Sequence, residues 1–160
     1  MADTGDTWGD QEAGTGCYLC APRLTQHPGI TLIARLAVST LYLGKEQRFR
    51  GASILILEQH ATRLDELEPS VYAAYMDDLR RSGRAIRGAL QPDHMNFALL
   101  GNSCPHLHWA IVPRYRNDSR WGRPVWVDSV LQDMRNNRAT LPEADFAQMI
   151  ARIRGLLEQI

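Results

Sequence analysis

Short apolar runs alternate with polar breaks along the chain, and they follow the two periods expected of strands and amphipathic helices. From Thr31 to Leu43 the sequence is apolar, rich in β-branched residues and charged only at Arg35; Gly44 and the polar Lys45-Glu46-Gln47 end the run. Gly51 to Leu57 (GASILIL) reads as a central strand, with a hairpin joining it to the first run. Met95 to Leu100 (MNFALL) and His106 to Pro113 (HLHWAIVP) read as two further strands around the tight loop Gly101-Asn102-Ser103-Cys104-Pro105. Between the two strand groups Pro69 can open a helix, because its missing N–H costs nothing in the first turn. Val71, Tyr75, Leu79, Ile86 and Leu90 then repeat along one helical face. Asp77, Asp78, Arg80, Arg81, Arg84 and Arg87 fall mostly off that face and read as solvated surface. Near the end, Thr140 and Glu143 have capping-box spacing, and Phe146, Met149, Ile150, Ile153, Leu157 and Ile160 form an apolar stripe. The sum is an α+β domain, an antiparallel sheet covered by helices. Residues 1–16 read as a flexible lead and residues 17–160 as one domain without internal repeats.

Composition narrows the partners. A chain of 160 residues can bury a real core in one domain. Its 18 basic and 18 acidic residues cancel, so no whole-surface electrostatic case for a nucleic-acid partner arises. No apolar run approaches the roughly 20 residues that span a bilayer, and the polar, acidic start lacks the pattern of an export signal. The expectation is a cytoplasmic protein with neither membrane nor nucleic acid as partner. Three cysteines cannot all pair within one chain, and a reducing compartment favours metal ligation by Cys17 and Cys20 over a disulfide.

Cys17-x-x-Cys20 has the bite for two thiolates on one tetrahedral zinc, although two ordinary buried cysteines can share that spacing. No helix-forming pattern follows to make a redox pair. Four histidines compete as further ligands, His27, His60, His94 and His106, and the residues alone do not choose among them. His106 and His108 stand two apart on an expected strand and so share one face, with Leu107, Trp109 and Ile111 on the other. Two histidines beside a glycine-containing loop point to metal ligation, phosphate chemistry or both. A neutral imidazole can attack phosphorus and later leave, provided its far nitrogen donates to a carbonyl. Asn102 and Ser103, with nearby backbone N–H groups, are candidates to hold the phosphate oxygens. Arg114 divides evenly between supporting that site and surface exposure. Cys104 and Trp109 read as structural. Trp121 and Trp126 fit a base-binding cleft or the packing of a long loop.

The stretch from Leu100 to Tyr115 (LGNSCPHLHWAIVPRY) resembles the histidine triad motif, His-φ-His-φ-His-φ-φ. Ser103-Cys-Pro-His106-Leu-His108 is similar to the Ser-x-Pro-His-x-His core of galactose-1-phosphate uridylyltransferase, in the same superfamily. Extension through Trp121-Gly-Arg-Pro-Val-Trp126 matches a bacterial branch of small histidine triad proteins, and the likeness runs from Cys17 to about Trp126. It implies an antiparallel sheet of about five strands packed with a long central helix and a C-terminal helix. It implies a structural zinc on Cys17, Cys20, His60 and His106, with His108 as nucleophile. Ser103 then matches a phosphate-contacting serine, and Asn96 falls near an asparagine that helps hold the nucleotide. The implied activity is nucleotidyl hydrolysis or transfer from esters, anhydrides or phosphoramidates of a purine nucleoside monophosphate. The implied assembly is a homodimer.

Ala110 departs from this pattern, which places a third histidine, or glutamine in the uridylyltransferases, at that position. Alanine neither donates to phosphate nor protonates a leaving group. Three readings follow: an exchange that traps a substrate complex, a specialisation in which the substrate supplies the missing group, or a domain that binds nucleotide without turnover. Ala52 also stands where several members carry a further histidine.

Overall fold

The computed structural model describes residues 8–20, 27–118, 120–127, 132–133 and 136–160. Its elements are α1 (Trp8–Glu12), β1 (Ile30–Arg35), β2 (Ser39–Gly44), β3 (Ser53–Leu57), α2 (Pro69–Leu90), β4 (His94–Ala98), β5 (His108–Arg114) and α3 (Glu143–Leu157). The strands form one antiparallel sheet in the order β1-β2-β3-β5-β4. Helices α2 and α3 pack on each other and cover one face of it. Leu41, Leu43, Leu55, Leu57 and Ile111 point from the sheet into the core, meeting Tyr75, Leu79 and Ile86 of α2 and Met149, Ile153 and Leu157 of α3. Because side chains alternate along a strand, the next residues in register face the other way. That second face carries His108, Ala110, Val112 and Asn96, and it holds the site.

The apolar run from Thr31 to Leu43 is two strands, not one. A carboxylate remote in sequence turns the chain: Asp78 of α2 accepts from the backbone N–H groups of Ala37 (3.2 Å) and Val38 (3.0 Å) and from Ser39 Oγ (2.7 Å). Expected on the solvated surface, Asp78 is fully buried. In β1 the register shifts between Leu32 and Ala34, and the Ile33 carbonyl at this bulge accepts from Arg154 Nε of α3 at 2.8 Å.

Three smaller expectations also change. Strand β5 begins at His108, so His106 lies just before it and not within it. Helix α3 has Pro142 at its N-cap without a side-chain cap bond, so the capping box of Thr140 and Glu143 does not form. Residues 8–16, read as a flexible lead, fold into α1 and a turn, with Trp8 exposed. Ahead of β3, Gly51 has φ +86° and an ideal Cβ there would lie 2.2 Å from Leu90 Cδ1. Only glycine serves both the backbone angle and the close approach.

Candidate metal centre and phosphate site

Cys17 and Cys20 lie on the turn after α1, His60 follows β3, and His106 precedes β5. Their ligand atoms all lie within 4.8 Å of one another. His60 Nδ1 and His106 Nδ1 are 3.3 Å apart, Cys20 Sγ is 3.3 Å from His60 Nδ1 and 3.4 Å from His106 Nδ1, and Cys17 Sγ is 3.4 Å from His106 Nδ1. A tetrahedral zinc with ordinary bond lengths separates two nitrogens by about 3.3 Å and a sulfur from a nitrogen by about 3.5 Å. The donor set and its spacing are those of a structural zinc site. His27 and His94, the competing histidines, stand elsewhere: His27 stacks on Tyr18 and His94 lines a separate cleft.

The far nitrogens of the two histidine ligands are also committed. His106 Nε2 donates to the Leu57 carbonyl at 2.7 Å, and His60 Nε2 donates to the Glu12 carbonyl at 2.9 Å. Each bond fixes the tautomer that leaves Nδ1 free for metal. Burial pushes the His106 pKa down, against the opposing pull of the Leu57 carbonyl, and so favours the neutral form a metal needs. Cys104 sits 3.7 Å from Cys17 Sγ but outside the four-ligand set. Burial pushes its thiol up to about 11, which keeps it protonated and inert.

His108 is half-buried at the start of β5, and its Nδ1 donates to the His106 carbonyl at 2.7 Å. The lone pair of Nε2 is thereby left for attack, the tautomer a phosphorus nucleophile requires. Asn102 and Ser103 are exposed in the loop immediately before. Ala110 is flanked across the sheet by Ile54 on β3 and Ala98 on β4, neither of which donates a hydrogen bond in place of the missing histidine. Trp109, on the opposite face, packs against the main core as expected.

Sequence reasoning missed a polar node beyond this. Arg114 is buried, with Nε 2.8 Å and Nη2 3.0 Å from the two carboxylate oxygens of Asp118. It also donates to Asn96 Oδ1 at 3.0 Å and to the carbonyls of Arg120 and Arg123, and it lies over the Phe49 ring. One side chain therefore ties β4, β5 and the segment after β5. The four-residue interval from Arg114 to Asp118 was visible, but it crosses a strand end, where no regular period makes such an interval informative. Asn96 meets the node and lines the neighbouring cleft with His94, Trp121 and Trp126.

A helix-backed antiparallel sheet, a two-cysteine, two-histidine metal set and an adjacent histidine with a fixed tautomer together define a zinc-knuckle histidine triad domain. Residues 38–117, half of the chain, match the HIT domain family, and the chain belongs to it. A histidine triad protein from Bradyrhizobium japonicum is 25% identical with a TM-score of 0.73, covering 85% of this chain and 95% of that one. One from Sinorhizobium meliloti is 22% identical with a TM-score of 0.70, covering 83% and 92%. A zinc-bound histidine triad family protein from Mycobacterium smegmatis is 20% identical with a TM-score of 0.58, covering 85% and 89%. No curated protein matches the sequence. No described helix is long and apolar enough to cross a membrane.

Proposed function

We propose that the chain is a nucleotide hydrolase or transferase that forms a covalent nucleotidyl intermediate on His108. The single observation carrying this reading is the bond from His108 Nδ1 to the His106 carbonyl, which sets the tautomer whose lone pair is on Nε2. In the first step the Nε2 lone pair attacks the phosphorus of a nucleoside monophosphate ester, anhydride or phosphoramidate. A P–N bond forms, and the bond to the leaving group breaks with its electron pair going to that group. The positive charge gained by the ring is stabilised by the carbonyl that accepts from Nδ1–H. In the second step water, or an acceptor hydroxyl, attacks the same phosphorus, loses its proton to solvent, and releases neutral His108. Asn102 and Ser103 are assigned to hold the phosphate at His108; the nucleotide-holding role that the resemblance implies for Asn96 does not extend to this phosphate, since Asn96 lines the separate cleft. Cys17, Cys20, His60 and His106 would hold a zinc that ties the knuckle to the His106 segment, a structural role, since four protein ligands would leave no open position for water.

With Ala110 in place of a donor, the leaving group departs unassisted or takes its proton from solvent. The reaction therefore favours substrates whose leaving group is already a good one. Ala110 also supports a second reading, a module that binds nucleoside monophosphates, purine ones included, without turnover. Mass analysis of the intact protein after exposure to substrate separates the two, because only the first forms an adduct. We further infer a homodimer through the outer edge of β4, where Phe97 and Leu100 are exposed, which sedimentation tests. The thiol ligands suit a reducing compartment such as the cytoplasm.

A further inference from the structure

The cleft of ≈ 640 Å³ beside the Arg114 node is not explained by chemistry at His108. Its lining includes His94, Asn96, Trp121, Arg123 and Trp126, and His108 is not among them. On β5 Val112, the cross-strand partner of Asn96, stands four positions beyond His108, which amounts to about 14 Å of strand. Ala110 and Ala98, side by side in register, lie between the two places.

The cleft combines three recognition elements. Trp121 is 40% exposed and has the Arg116 guanidinium 5.9 Å from its ring centroid, which holds the indole while leaving much of it open. Arg123 is exposed, and its guanidinium has no carboxylate partner among the described residues. Asn96 turns its amide oxygen to Arg114, so its NH₂ group is left to donate elsewhere. An open indole, an unpaired guanidinium and an amide donor together suit a planar ring that carries a negative charge.

We propose that this cleft is a second ligand site, separate from His108, for an aromatic anion of the nucleoside monophosphate type. The base stacks on Trp121, the phosphate meets Arg123, and Asn96 donates to the ring or the sugar. Two sources supply such a group. One is the distal half of a substrate that lies along the alanine floor with its phosphate at His108; the other is a free second nucleotide.

The test uses the full zinc-loaded chain, with calorimetry and tryptophan fluorescence as readouts and AMP as the probe. The expected result is two AMP bound per chain, one of them lost in Trp121→Leu and weakened about 10- to 100-fold in Arg123→Gln. Adenosine and ribose 5-phosphate each lack one recognition element and should bind the cleft at least 10-fold more weakly. Both substituted side chains are exposed, and circular dichroism checks that the fold survives. A diadenosine polyphosphate that displaces both AMP molecules one-for-two identifies the distal half of a substrate, whereas two-for-two displacement identifies a free nucleotide. If the His108 reading fails but this one holds, the wild-type count is one and Trp121→Leu abolishes it. AMP stoichiometry and affinity unchanged in both variants would overturn the proposal.

Discussion

The nucleophile candidate His108 hangs from the backbone of a metal ligand: its Nδ1 donates to the carbonyl oxygen of His106 at 2.7 Å, while the His106 ring faces Cys17, Cys20 and His60. Metal binding fixes the His106 backbone, and that carbonyl fixes the His108 tautomer. On the proposed mechanism, the zinc knuckle would bear on chemistry at His108 without touching a phosphate.

Breaking the knuckle should therefore cost both stability and reactivity. Cys20→Ser is expected to lose zinc, read by elemental analysis, and to lower Tm by on the order of 10 °C, as a loss of about 3–4 kcal/mol would in a domain this size. Adduct formation at His108 should fall with it. Full reactivity in a zinc-free protein would refute the coupling.

Asp78 should matter for the fold alone. Asp78→Ala leaves the N–H groups of Ala37 and Val38 and the Ser39 hydroxyl without their buried acceptor. Urea unfolding should show a loss of about 2–4 kcal/mol, with zinc content unchanged.

Acid should loosen the Arg114 node. The Arg114 hydrogen bond to Asp118 is the main force holding that carboxyl below the usual range. A depressed folded-state pKa gives stability that is present above the unfolded value of about 3.9 and is lost as pH falls through the folded value. Asp118→Asn should be less stable than the parent near neutral pH, and the gap should close in acid. Urea midpoints measured across pH, with tryptophan emission as the signal, test this; a gap independent of pH would contradict it.

Restoring a donor at position 110 should act on rate and not on binding. Ala110→His places an imidazole between Ile54 and Ala98, where the small Ala98 leaves room. The expected gain in kcat is about 10²- to 10³-fold for poor leaving groups and little for good ones. A leaving-group series compared between the two proteins measures it.

Much of this architecture is legible in the sequence because its signals are local. The α2 stripe from Val71 to Leu90, the Gly101–Pro105 loop and the Cys17-x-x-Cys20 bite each occupy a short window. What escapes depends on contacts between distant residues. Asp78 looks like solvated surface on a helical wheel, because nothing near it in sequence shows that Ala37, Val38 and Ser39 will meet it. The split of Thr31 to Leu43 into two strands is hidden for the same reason. His60 and His106 are chosen over His27 and His94 only when the sheet brings strand ends together. Family resemblance supplies that ligand set in the sequence, and the fold brings its four donor atoms within 4.8 Å of one another.

The central claim is the nucleophile, and intact-protein mass after exposure to an adenosine phosphoramidate and a dinucleoside polyphosphate tests it most directly. The account predicts a gain of one nucleotidyl group, mapped to His108 and absent in His108→Ala, or AMP release that disappears in the same variant. No adduct and no AMP from either this chain or Ala110→His, with AMP still bound, would contradict it and leave a nucleotide-binding module.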